Sequence, residues 1–306
     1  MTITRHPFCD EATMPRLLDL VRAMPVICRH VIDLPWRLAS PAIHEGRDAS
    51  FWEDAGGQVV GFAAWQYYWA VLDFFILPGP SQLEVETEIV AWAEERMHER
   101  DEERGKPLPY WVDFRDDDHT RRQLVEAHGF LLYEEDCYAF FQHTLDDLPP
   151  VPRLPDGFTL RTLAGEQEAA AYSELHRAAF ESTSMTPEWR ARTLRMPQYR
   201  PELDLVITTS GGSLAAFCVG WFEPLRKSAQ IEPIGVHPRF QRRGLGRVLL
   251  LEMLHRFQAS EVNSVFIEPF VDNTAIHRAC ESVGFEWTHT IRRRGKWVNQ
   301  LDPAKS

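Results

Sequence analysis

The chain has 306 residues, 44% apolar and 25% charged, with 18 Phe and 10 Trp, the composition of a folded globular protein long enough for two domains. Its net charge of −12 is uneven: residues 1–150 hold 13 Lys and Arg against 28 Asp and Glu, and residues 151–306 hold 20 against 17, so a phosphate-rich partner should meet the second half. No apolar run approaches the ~20 residues of a membrane helix, the start MTITRHPFCDEATM lacks an apolar signal core, and Cys9, Cys28, Cys137, Cys218 and Cys280 form no CxxC or Cys/His cluster; a cytoplasmic protein without membrane attachment or metal is expected.

In chain order, ASFWEDAGGQVVGFAAWQYY reads as a β-hairpin turning at Gly56-Gly57. A long helix is predicted over residues 82–103, with Ile89, Ala93 and Met97 one turn apart on a face. PYWVDFR is a strand, and a short helix then leads to Gly129-Phe130. DDLPPVPRLPDG, residues 146–157, spreads four prolines through a stretch without apolar periodicity and reads as an extended linker. Two domains follow from this, residues 1–145 and 158–306.

The second half repeats the plan of the first. Residues 205–208 and 214–222 form a hairpin about Ser210-Gly211-Gly212. A strand over 231–237 leads through a basic turn to a helix over 244–259, with Leu250, Leu254 and Phe257 on a face. SVFIEPFV, a helix over 274–283 and Gly284-Phe285 complete the repeat, so the pattern is that of a tandem duplication.

The turn QRRGLG, residues 241–246, is the most informative stretch. A helix N-terminus offers unpaired backbone N–H groups and about half a positive charge, and glycines let a bulky anion approach that backbone. Arg242, Arg243 and Arg247 add full charges around Gly244 and Gly246, so the natural guest is a pyrophosphate. The spacing is neither the Walker pattern nor the dinucleotide G-x-G-x-x-G.

The turn resembles the (Q/R)-x-x-G-x-(G/A) signature of the GCN5-related N-acetyltransferase (GNAT) family. The strand before it, His237-Pro238, the amphipathic helix and Asn273 followed by Gly284-Phe285 extend the resemblance over residues 231–285, and loosely back to Phe158. It implies an α/β (α+β) fold of two tandem GNAT-like domains, each a mixed, mostly antiparallel sheet flanked by helices. The layout is similar to that of two-domain members with one inactive half.

The resemblance also implies acetyl-CoA as cosubstrate, held by Ile234, Gly235, Val236, Gln241, Arg242, Arg243, Gly244, Leu245, Gly246, Arg247 and Asn273. An acetyl group would pass by direct attack to the amine of a small-molecule or peptide acceptor. Glu232 is the candidate base, the alternative being a strand glutamate that faces solvent or pairs with an arginine. The family's usual acid, a tyrosine seven residues after the asparagine, is replaced by Cys280, which is either a thiol acid or a small packing residue. Asn273 either contacts the pantetheine arm or caps its helix.

The first half does not keep the signature. LDFFILPGPSQLEVETEIV places Pro78-Gly79-Pro80-Ser81 at the turn and Glu84, Glu86 and Glu88 at the helix start, which suit the helix dipole and repel phosphate. It reads as a degenerate copy. On the acceptor side Met185, Trp189 and Tyr199 line a pocket or pack in the core. Asp113 and Asp116 to Asp118 read as loop carboxylates, solvated or turned to a cationic amine, and Arg292 to Arg294 as an edge strand with a charged exterior. Net charge argues against nucleic acid. A tandem chain can mimic a dimer within itself, so a monomer is expected. The competing reading is a CoA-binding pseudoenzyme or sensor without turnover.

Overall fold

The computed structural model describes residues 3–8, 13–24, 28–44, 47–105, 107–132 and 135–297; Cys9 lies outside them. Hydrophobic alternation and glycine turns generate strands, and each sheet buries a face against one long helix. The chain packs as two units: residues 1–31, 41–137 and 291–306, and residues 32–40 and 138–290.

In unit 1 the strands are β1 (Thr4–Pro7), β2 (Ala49–Glu53), β3 (Val59–Gln66), β4 (Val71–Ile76), β5 (Tyr110–Arg115) and the later part of β12 (Glu286–Lys296), in that spatial order. All pairings are antiparallel except β4 with β5. The helices are α1 (Met14–Ala23), α3 (Pro41–His44), α4 (Gln82–Arg104) and α5 (His119–Ala127). Ile89, Ala93 and Met97 face the core as their spacing predicts. A Cβ at Gly61 would lie 2.4 Å from Val85, so this glycine lets α4 close on β3.

Unit 2 holds α2 (Leu34–Leu38), β6 (Glu135–His143) from residue 138 on, β7 (Phe158–Thr162), α6 (Ala169–Phe180), α7 (Pro187–Arg195), β8 (Asp204–Thr209), β9 (Leu214–Glu223), β10 (Ser228–Val236), α8 (Leu245–Ala259), β11 (Ser264–Ile267) and α9 (Thr274–Glu281). Its strand order is β7-β8-β9-β10-β11-β6, with only β10 and β11 parallel. Leu250, Leu254 and Phe257 of α8 are fully buried against this sheet. Among the described residues, no helix is long and apolar enough to cross a membrane.

The packing units differ from a division at residues 146–157. β6 precedes the proline-rich stretch, yet it pairs with β11 through His143, Gln142 and Phe141. The last strand returns to β5, from Ile291 opposite Arg115 to Lys296 opposite Tyr110. Composition marks the chain's break but not which sheet a strand joins.

Two readings of charge are corrected. Asp113 is not on a loop: it lies in β5, buried, and accepts from Arg293 at 2.7 and 2.9 Å and from Arg29 at 2.7 Å. Burial alone would raise its carboxyl, but the hydrogen bonds from Arg293 and the charge of Arg29 hold it below the usual range. Asp118 caps α5 through Arg121 N at 3.0 Å. The 292–294 arginines are not on an edge strand, since β12 lies between β5 and β6, and they are half-buried and ion-paired: Arg292 with Asp136, Arg293 with Asp113 and Arg294 with Glu126.

Candidate active site

The site is built where β10 leaves the sheet. β10 pairs with β9 in one register up to Ile231 opposite Gly220 and in another from Ile234 opposite Cys218, so one extra residue bulges at Glu232 and Pro233. The bulged carbonyl of Glu232 accepts from the buried indole of Trp221 at 2.7 Å. On the other side β10 pairs with β11 only from Ser228 to Gln230. Beyond that point Ile234, Gly235 and Val236 keep their pairing to β9 and have no partner on β11.

The chain then turns tightly. His237 N donates to Ala215 O at 2.9 Å, and His237 Nδ1 accepts from Arg239 N at 3.1 Å, fixing a 3-10 turn over Pro238–Phe240. Gln241 Nε2 reaches back to Val236 O at 3.4 Å. Arg242 and Gly244 both take left-handed backbone, with φ of 60° and 79°. The first bond of α8 runs from Val248 N to Gly244 O, which leaves the N–H groups of Leu245, Gly246 and Arg247 ahead of the helix. Leu245 is buried and anchors this end, and a Cβ at Gly246 would sit 3.8 Å from Val236. The helix mouth and the free end of β10 are therefore neighbours.

Arg242, Arg243 and Arg247 are exposed, and among the described residues none of them forms an ion pair. Arg243 lies 5.9 and 5.8 Å from the rings of Phe158 and Phe240, which support its stem. An anion at this turn would meet backbone N–H groups and three arginines together.

A profile described as the acetyltransferase (GNAT) family matches residues 169–285. The fold is similar over 98% of this chain and 100% of the other to a solved tandem GNAT protein from the clavulanic acid biosynthesis pathway, at TM-score 0.66 and 19% identity. Residues 169–285 thus match the GNAT family, and the chain as a whole has the fold of a tandem GNAT protein.

Among curated GNAT relatives, the mycothiol acetyltransferase of Thermobispora bispora is 28% identical over 47% of this chain and 52% of its own length. That of Streptomyces griseus is 26% identical over 61% of each chain. The chain thus spans little more than half the length of the curated relatives it matches. The expected fold, a tandem of GNAT-like mixed sheets flanked by helices, is borne out.

The remaining sequence candidates fall in different places. Asn273 caps α9, its Oδ1 accepting from Ile276 N at 3.3 Å. Gly235 has a packing reason of its own, since a Cβ there would lie 2.6 Å from the Phe217 ring. Cys280 is fully buried in the core, and burial pushes its thiol up to about 12. Met185 and Trp189 are core residues.

Glu232 is half-buried. Burial pushes the Tyr172 phenol up, and the charge of Glu232 is near enough to add to this.

Sequence reading missed a buried polar cluster under α6 and α7. Arg190 and Asp204 form a fully buried ion pair, the Arg190 guanidinium stacks 3.8 Å above the Tyr172 ring, and Tyr199 donates to Asp204 at 2.7 Å. Burial raises the Asp204 carboxyl while Arg190 and Tyr199 oppose it. No local pattern in the sequence joins residues so far apart.

In unit 1, α4 follows Ser81 and carries the exposed Glu84 in its first turn. Residues 77–90, around the start of this helix, hold no lysine or arginine.

Proposed function

We propose that the chain is an acetyl-CoA-dependent N-acetyltransferase whose second unit carries the reaction. The observation that carries this reading is the junction of β10's open edge with the arginine-ringed mouth of α8. The backbone of Ile234–Val236 would meet the pantetheine amides. Gln241, Arg242, Arg243, Gly244, Leu245, Gly246 and Arg247 would surround the pyrophosphate. Asn273, which caps α9, is the further candidate for contact with the pantetheine arm.

The amine must be neutral to attack the thioester carbon. Glu232 takes the proton, directly or through water, as the C–N bond forms. The C–S bond then breaks and the leaving thiolate takes a proton from solvent, since Cys280 is buried in the core. Backbone N–H groups at the end of β10 stabilise the oxyanion. The relatives' name makes a small thiol-bearing amine the first acceptor to test, and L-cysteinamide is a suitable probe. The first unit reads as a degenerate copy that lacks this cradle.

Titration calorimetry with acetyl-CoA tests the cofactor site. Gly246→Leu is the decisive variant, because position 246 is helical and needs no left-handed backbone. One site per chain is expected in the parent. The variant should bind at least about tenfold more weakly while its circular dichroism is unchanged. Normal binding by the variant would remove the turn from the reading. Two sites per chain would restore the first unit as a cofactor domain. Binding without an N-acetyl product from any amine by mass spectrometry would favour a CoA-binding sensor.

A further inference from the structure

Residues 32–40 belong to the first half of the sequence, yet they pack in the unit that carries the glycine turn. Trp36, on α2, is 4% exposed and stacks on Trp189 of α7, with ring centroids 4.9 Å apart and planes 27° from parallel. Two carbonyls of the segment are bonded by α7: Trp189 Nε1 donates to Trp36 O at 3.4 Å, and Arg192 Nε donates to Ala39 O at 2.9 Å. This is a specific dock, since backbone groups and an aromatic face are satisfied by the same helix.

The ring contacts continue from Trp36 to β10. Trp36 meets His176 of α6 at 6.2 Å, and His176 packs on Phe180 at 4.6 Å and on Phe217 at 5.6 Å. Phe217 and Ala179 close on Gly235, where a Cβ would lie 2.6 and 3.0 Å from them. The last turn of α6 therefore abuts the strand end on which the thioester is read to lie. Phe180, at that last turn, is 43% exposed. An acceptor amine approaching the thioester from this side passes the end of α6.

We propose that Trp36 is a positioning residue for the acceptor side of the transferase, holding α6 and α7 against β10 through Trp189 and His176. This rests on the acetyl-CoA reading above. It makes residues 32–40 an integral part of the reacting unit. It also supplies a reason for a degenerate first half to stay joined to it: cutting at the proline-rich stretch would remove the wall behind α7.

The test is hydrogen exchange on the full chain, comparing the parent with Trp36→Ala and Trp36→Phe. In Trp36→Ala, amides over residues 172–199 should exchange at least about tenfold faster while those over 228–259 keep their rates. Trp36→Phe should restore most of the protection, because it keeps an aromatic face for Trp189. Acetyl-CoA affinity should be the same in all three. With L-cysteinamide, KM should rise about tenfold in Trp36→Ala with kcat nearly kept, as expected when ground-state and transition-state binding are lost equally.

Exchange that rises evenly over the whole unit, or does not change, overturns the proposal, as does an equal loss of acetyl-CoA affinity. A parent chain that binds no acetyl-CoA sinks the cofactor reading instead; the localised exchange pattern is judged separately from it.

Discussion

His176 shows how a single buried side chain ties this molecule to pH. It is 7% exposed, its Nδ1 is buried without a partner, and Arg190 and Arg177 add positive potential around it. Burial first, and then those two charges, push the imidazole down to about 3. In the unfolded chain it takes a proton near its ordinary value of ~6.5. The unfolded state therefore binds more protons as pH falls between those values, and stability contributed above ~6.5 is lost towards about 3. The slope is about 1.4 kcal/mol per pH unit inside that window. His176→Phe keeps a ring between Trp36, Phe180 and Phe217 and removes the titration. Urea unfolding at pH 7 and pH 5 should show the parent losing about 2 kcal/mol more than the variant. Parallel losses in the two proteins would mean that His176 is protonated, or reached by water, in the folded state.

The elements differ in how far the sequence discloses them. Hairpins, the long helices α4 and α8, and the strands around them follow from period and glycine turns, because those signals are local. Gly244 belongs to the same class, since a residue with φ near 79° before a helix is a position glycine fills without strain. Arg242, at φ 60°, takes the same conformation with no sign in its residue type. α2 was not legible: LPWRL is too short to show a period, and its role depends on α7, more than 150 positions later. The sequence does not show the burial of Asp113 because its partner Arg293 lies 180 positions away. The sequence allows Asn273 two roles, and the structure shows the cap. Ranked by that geometry, Asn273→Ala should cost about 1 kcal/mol of stability through the lost cap. If the cap is its main work, acetyl-CoA affinity measured by calorimetry should fall less than threefold, within ~0.7 kcal/mol. A tenfold loss of affinity with little change in stability would instead assign the residue to the pantetheine arm.

At the scale of the whole molecule two electrostatic effects would compete for acetyl-CoA, an anion, at the proposed site. The chain's net charge of −12 repels it, and three exposed arginines at one helix mouth attract it. Salt decides between them, because screening acts over ~8–10 Å at ordinary ionic strength and removes distant repulsion and nearby attraction by different amounts. Charges in contact with a phosphate act inside that length, whereas the acidic excess of residues 1–150 is spread over a whole fold. Contact attraction should therefore dominate. Raising sodium chloride from 50 to 500 mM should weaken acetyl-CoA binding by about tenfold, since that range cuts the screening length about threefold. Replacing Arg242, Arg243 and Arg247 together by glutamine should weaken binding at low salt and flatten the dependence. Tighter binding at high salt would mean that net repulsion governs the encounter and that the arginines do not touch the phosphates. An unflattened slope in the triple variant would move the phosphate site away from the α8 turn, even with a GNAT fold intact around it.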